Sequence, residues 1–143
     1  MSTEWSKAQL KDLVTLQRGH DLPSRKRSDG QVPVMGSSGI TGYHDEAKAT
    51  GPGVIVGRSG ASYGSVAFVK EDYWPLNTSL YVIDFHDNDR RFAYYFLQSM
   101  DFDAYNTGSA QPSLNRNLIH PIEISLPPLP VQRRIADILG ALD

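Results

Sequence analysis

The segment Gly57-Arg58-Ser59-Gly60-Ala61-Ser62-Tyr63-Gly64 holds the first set of side chains whose types and spacing could do chemistry. It lies between two β-branched runs, Gly53 to Gly57 and Ser65 to Lys70. Small residues there let the backbone approach a ligand closely or take positive φ. Arg58 is of the type that reads guanine bidentately in the major groove of DNA, and Ser59 and Tyr63 add hydroxyls. The plainer reading is a tight hairpin, which the glycines alone favour. A nucleotide P-loop is excluded, since no Gly-Lys-Ser/Thr follows and no helix is expected to begin there.

A second set runs from Gly108 to Asn117, where Ser109, Gln111, Ser113, Asn115 and Arg116 are types that hydrogen-bond base edges and phosphates. Pro112 stiffens the segment and lowers the ordering cost of binding. A solvated connection has the same composition, so both readings stand. Arg25-Lys26-Arg27 is the only run of three basic residues, suited to phosphate contact or simply to a solvated loop. Chemistry of an enzymatic kind has less to build on. The histidines, His20, His44, His86 and His120, show no paired ligand spacing, so neither a metal nor a cofactor is expected. No Gly-x-Ser-x-Gly elbow occurs, although a Ser–His–acid set assembled in space stays open. His44-Asp45 and His86-Asp87 read as surface or capping residues.

The elements that must position these loops are legible in outline. Trp5 to Leu16 mixes a short helical stretch with a strand from Val14 to Gln17, and Gly19 to Gly30 reads as a loop. Strands are expected at Val32 to Met35, Gly53 to Gly57, Ser65 to Lys70, Ser79 to Phe85 and Ile122 to Leu126. Gly36-Ser37-Ser38-Gly39 and Thr41-Gly42 are turn chemistry. A helix from Asp89 to Met100 should bury Phe92, Tyr95 and Phe96, with Ser99 or Met100 at its end. Ala104 to Asn117 is read as a loop. Strands and helices do not alternate regularly, which predicts an α+β domain around a mixed or antiparallel sheet.

Length and charge narrow the class further. A chain of 143 residues predicts one domain with a real core. Cysteine is absent, which removes disulfides and fits a reducing cytoplasm. The opening MSTEWSKAQLKDL is too polar for a secretory signal, and no apolar run is long enough to span a bilayer. Fourteen Lys and Arg against 16 Asp and Glu give a net charge of −2. Nucleic acid could therefore be held only if the basic residues gather on one face or a partner supplies affinity.

The C-terminal stretch is the most specific. Pro127, Pro128 and Pro130 lead into a helix whose Val131, Ile135, Ile138, Leu139 and Leu142 form one apolar stripe, which needs a partner surface. LPPLPVQRRIADILGALD resembles the pattern "PPL.EQ..IA..L..LD" at the junction of recognition domain and spacer helix in type I restriction–modification specificity subunits, departing at Val131, where that family has Glu. Further segments resemble the family in order. They are Trp5 with Leu10, Asp12-Leu13 and Gly19; Val32-Pro33-Val34; Gly53 to Gly60 with Gly64; Asn77 with Ser79-Leu80; Tyr94 to Leu97; and Gly108 to Asn115.

The resemblance implies a DNA target-recognition domain over residues 1–126 and a junction with the start of a spacer helix over 127–143. It implies a non-catalytic subunit that reads one half of a split site in double-stranded DNA. Spacer helices would set the distance to a second recognition domain, or self-associate, and dock methyltransferase subunits and through them the restriction subunit. By motif position Arg58, Ser59, Tyr63, Ser109, Gln111, Ser113, Asn115 and Arg116 would face DNA, with Arg58 and Gln111 reading bases. Arg25, Lys26 and Arg27 are phosphate contacts on chemistry alone. A full subunit carries a complete spacer helix and usually a second domain, so the chain is expected to be a fragment or cut product. Two rivals stand beside this reading. One is the recognition domain of a combined restriction–methylation enzyme of another type. The other is a small ligand-binding protein or hydrolase using the Gly57–Gly64 loop.

Overall fold

A computed structural model describes residues 4–106 and 113–143. Its centre is a four-stranded antiparallel sheet in the order β2 (Thr15–Arg18), β8 (Ser79–Asp84), β5 (Gly53–Gly57), β6 (Val66–Val69). The alternation of strand side chains explains why the run Gly53 to Gly57 is apolar at successive positions. Val54 and Val56 face one core with Leu16, Leu80 and Val82, whereas Ile55 faces a second with Met35, Val69, Tyr73 and Tyr81.

On the first face lie the helices. α1 (Leu10–Leu13) contributes Leu10 and Leu13, and α2 (Arg90–Gln98) contributes Phe92, Ala93 and Leu97. α2 starts where Asp89 caps it, its carboxylate accepting from the Phe92 N–H at 2.8 Å. The expected buried face is thus turned. Phe92 is buried and Phe96 packs at the core edge, but Tyr95 is half-exposed and its hydroxyl meets Asp143, while Ala93 and Leu97 point inward. On the other face is a three-stranded sheet of β4 (Gly39–His44), β3 (Val32–Gly36) and β7 (Trp74–Pro75), β3 pairing antiparallel with β4 and parallel with β7. Residues Leu22, Val34, Trp74 and Leu76 form a small third cluster there. The α+β class with mixed sheets is therefore as expected.

Four local readings differ. Ser6–Gln9 is a strand, β1, paired with β9 (Glu123–Leu126), rather than part of a helical stretch. Its sequence is polar because it lies exposed at an edge, so no apolar alternation marks it. β2 ends at Arg18, one residue later than read. Gly39–His44 is a strand instead of turn, its glycines taking φ of +114° and +155° beside a bulge at Val34/Met35. The stretch read as loop after Ala104 includes α3 (Arg116–Ile119), capped by Asn115. The last helix, α4 (Leu129–Leu142), begins with Pro130 in its first turn and packs on α2.

Candidate nucleic-acid interface

The first loop that the sequence nominates meets the described end of the second, from Ser113 onward, in space. The hairpin between β5 and β6 is closed by Gly57 N–H to the Ser65 carbonyl at 2.8 Å, with Gly60 and Gly64 at φ of +84° and +79°. Its first residues then pair with the segment ahead of α3. The Leu114 N–H donates to the Arg58 carbonyl at 2.8 Å, and Ser59 and Ser113 form an antiparallel bridge. Leu114 is buried in the main core and anchors that segment. A hollow of about 330 Å³ opens between the two, lined by Arg18, Arg58, Ser113, Asn115 and Arg116, with Gln17 at its β2 wall.

Each wall is held by identifiable bonds. Arg58 donates from Nε to the Asn77 carbonyl at 2.7 Å and from its backbone N–H to the Thr78 carbonyl at 2.8 Å. Arg116 donates from Nη1 to the Leu16 carbonyl at 3.0 Å. Leu16 is further fixed by its own N–H, which donates to His120 Nε2 at 3.0 Å. That ring must therefore be neutral, with its proton on Nδ1. Burial, then the positive charges of Arg116 and Lys11, pushes the His120 pKa below its ordinary value of 6.5. Asn115 accepts from the Asn117 N–H at 2.9 Å. Burial, then the charge of Arg18, lowers the Arg58 pKa.

The remaining sequence candidates divide. Arg25 and Lys26 are exposed on a 3-10 turn (Ser24–Lys26). Arg27 is half-buried, with Nε on the Leu22 carbonyl at 3.3 Å and Nη1 on the Thr41 carbonyl at 3.2 Å. Its guanidinium thus ties the turn to β4 and is engaged by the fold, a structural role that the sequence reading did not assign. Tyr63 is likewise turned inward, its hydroxyl donating to the Phe102 carbonyl at 2.6 Å, so it fastens the hairpin and does not present a free hydroxyl. Ser109 and Gln111 lie outside the described residues. The 3-10 turn adjoins the hollow through Asn77, which lines a neighbouring depression with Asp21, Leu22, Pro23, Ser24 and Arg27 while its carbonyl holds Arg58.

Sequence reasoning missed Arg18. The signal was a basic residue at the end of a strand, but the β2–β8 pairing that carries it to the hollow is non-local. A set of the Ser–His–acid kind does occur on the surface, Thr15 Oγ1 lying 2.7 Å from His86 Nε2 and Asp84 Oδ2 lying 3.6 Å from His86 Nδ1. The Asp84 carboxylate also accepts from the His86 N–H at 2.8 Å, so the group closes the turn after β8.

At the other end, Gln132 explains the junction. It is 2% exposed. Its Oε1 accepts from the Asp89 N–H at 2.9 Å, and its Nε2 donates to Asn88 Oδ1 and to the Pro127 carbonyl, both at 2.9 Å. An amide alone offers both one acceptor and two donors at this reach. Ala136, also buried, lets α4 approach α2, and Arg91 donates to the Ala136 carbonyl at 2.8 Å. The apolar stripe is divided by this packing. Ile135 joins the domain core, Val131 and Leu139 are half-buried, and Ile138 and Leu142 are 57% and 78% exposed.

Comparison with known proteins identifies the family. A family model described as "Type I restriction modification DNA specificity domain" matches residues 2–143. The chain is 26% identical over 145 aligned positions to the type I restriction enzyme EcoprrI specificity subunit of Escherichia coli, covering 98% of this chain and 36% of that protein. It is 28% identical over 125 positions to a putative type I restriction enzyme specificity subunit of Haemophilus influenzae, covering 85% of this chain and 32% of that one. It thus spans about a third of the length of these relatives. The fold is similar to part of the S subunit of a type I restriction–modification system from M. genitalium, with a TM-score of 0.81 at 20% identity over 98% of this chain and 39% of that chain. The chain belongs to the family of type I restriction modification DNA specificity domains.

Proposed function

We propose that this domain reads one half of a split target site in double-stranded DNA and catalyses nothing itself. The observation that carries the reading is the convergence of two sequence-distant polar loops on one hollow with Arg18, Arg58 and Arg116. A chain of net charge −2 gathers cations on one face there, the condition that composition imposed. Ser113 and Asn115 line the hollow with Arg58 and Arg116, Ser59 pairs with Ser113, and Ser109 and Gln111 precede Ser113 in the sequence. Base-edge hydrogen bonds from this loop select the site, and backbone contacts, Arg25 and Lys26 among them, set the register. α4 begins the spacer, and the exposed Ile138 and Leu142 continue the apolar stripe of Val131, Ile135 and Leu139 toward a partner. Methyltransferase subunits, and through them a restriction subunit, act in the cytoplasm on the site so chosen, with a flipped adenine as methyl acceptor.

Hydrogen exchange of the chain with and without a pool of mixed-sequence duplexes tests the surface. Protection confined to residues 16–27, 57–65 and 106–118 is expected. Protection elsewhere, with these segments unchanged, overturns it.

A further inference from the structure

Resting on that DNA reading, we infer that the hollow between Arg18, Arg58 and Arg116 is a seat for one backbone phosphate of the duplex, and that Arg18 is its outermost ligand. Three arginines line a single hollow, and among the described residues no acidic residue lines it. The adjoining residues 107–112 are Thr, Gly, Ser, Ala, Gln and Pro, so no acid can come from them. Arg58 and Arg116 are each held by a main-chain carbonyl, Asn77 at 2.7 Å and Leu16 at 3.0 Å. The Arg58 Nε is consumed by that bond, which fixes the plane of its guanidinium. Arg18 is exposed, and its side chain makes no hydrogen bond among the described residues. Like charges held together in a partly dry site call for a formal anion. A base edge offers only partial charges, whereas a phosphodiester offers a full charge and two acceptor oxygens for forked donors. The seat thus reassigns Arg58 from reading a base to holding the backbone, leaving sequence choice to other residues.

The test is anisotropy of the whole chain with labelled mixed-sequence and single-sequence duplexes across a range of salt. Arg18→Gln should lower affinity roughly 5–10-fold on every sequence alike and reduce the slope of log affinity against log salt by about 1. Arg18→Lys should restore the slope, and Arg133→Gln, on α4, should leave it unchanged. Unfolding followed by circular dichroism confirms that the variants fold. Unchanged affinity and slope in Arg18→Gln would refute the seat while leaving DNA recognition standing. A loss confined to some sequences would make Arg18 a reader and refute it too. Inorganic phosphate separates the sources, since an Arg18-dependent rise in thermal midpoint with no Arg18 effect on DNA would mean a free-anion site. Absence of any duplex binding, by the unaltered chain and by the full-length subunit with its methyltransferase, would instead remove the DNA reading itself.

Discussion

Gln132 is where a single substitution should do the most damage for the fewest atoms changed. Gln132→Met keeps the length and apolar stem but removes one acceptor and two donors. The Asp89 N–H, the Pro127 carbonyl and Asn88 Oδ1 all lose partners. Asn88 and Asp89 are both half-buried, so the Asn88 oxygen and in part the Asp89 N–H can return to water, and the full cost falls on the buried Pro127 carbonyl. At about 1–2 kcal/mol for the stranded carbonyl and less for the half-buried N–H, the loss is roughly 1–3 kcal/mol. For a domain of this size that lowers the thermal midpoint by roughly 3–10 °C. Urea unfolding followed by far-UV circular dichroism measures it. Gln132→Glu adds a second check. Its carboxylate can accept from Asp89 but faces the Pro127 and Asn88 oxygens, which favours the protonated form in the folded state. A raised folded pKa in an acid means that stability falls as pH rises above about 4.3. A Gln132→Met variant within about 0.5 kcal/mol of the unaltered chain would refute the argument that this amide locks the helix to the domain.

Other expectations concern the interface and the core. His120, with its pKa lowered, contributes stability that is complete above 6.5 and is lost as pH falls through that value toward the folded pKa. The difference in unfolding free energy between about pH 7.5 and about pH 5.5 should therefore shrink in His120→Gln, and an unchanged difference would exclude the Leu16 clamp as its source. The Tyr73 hydroxyl is buried without a hydrogen-bond partner among the described residues, and burial raises its pKa, so it stays neutral. Tyr73→Phe should leave stability within about 0.5 kcal/mol or raise it, and a loss above about 1.5 kcal/mol would reveal an overlooked partner. In competition binding, Gln111→Ala should relax site choice, whereas Lys26→Ala and Arg58→Ala should weaken binding evenly across sequences. Relaxed choice in Arg58→Ala would return it to the readers.

The sequence marks the strands of the inner sheet and both long helices well, because each carries its own period and punctuation. Val54, Val56 and Ile55 face two cores, so their run is unbroken and bounded by glycine. Asp89 and Pro130 announce their helices by capping chemistry that is local. β1 and β4 escaped because their pairing is what makes them strands, and their exposed residues lack an apolar alternation. The same limit governs the site. Loop composition picks out Arg58, Ser113, Asn115 and Arg116, but nothing local says that Leu114 hydrogen-bonds to Arg58 and brings them together. Arg18 needs the β2–β8 register, and the inward turns of Tyr63 and Arg27 depend on carbonyls 39 and 14 residues away. The role of Gln132 is legible from the junction pattern as a position, but its reason is three-dimensional.

The central claim, that this domain chooses a DNA sequence, is tested most directly by selecting bound duplexes from a randomised pool at low salt and sequencing them. Enrichment of one short contiguous motif, lost or broadened when Gln111 is replaced by Ala, is the predicted result. If no motif is enriched, even when the full-length subunit is assayed together with its methyltransferase, the claim is contradicted.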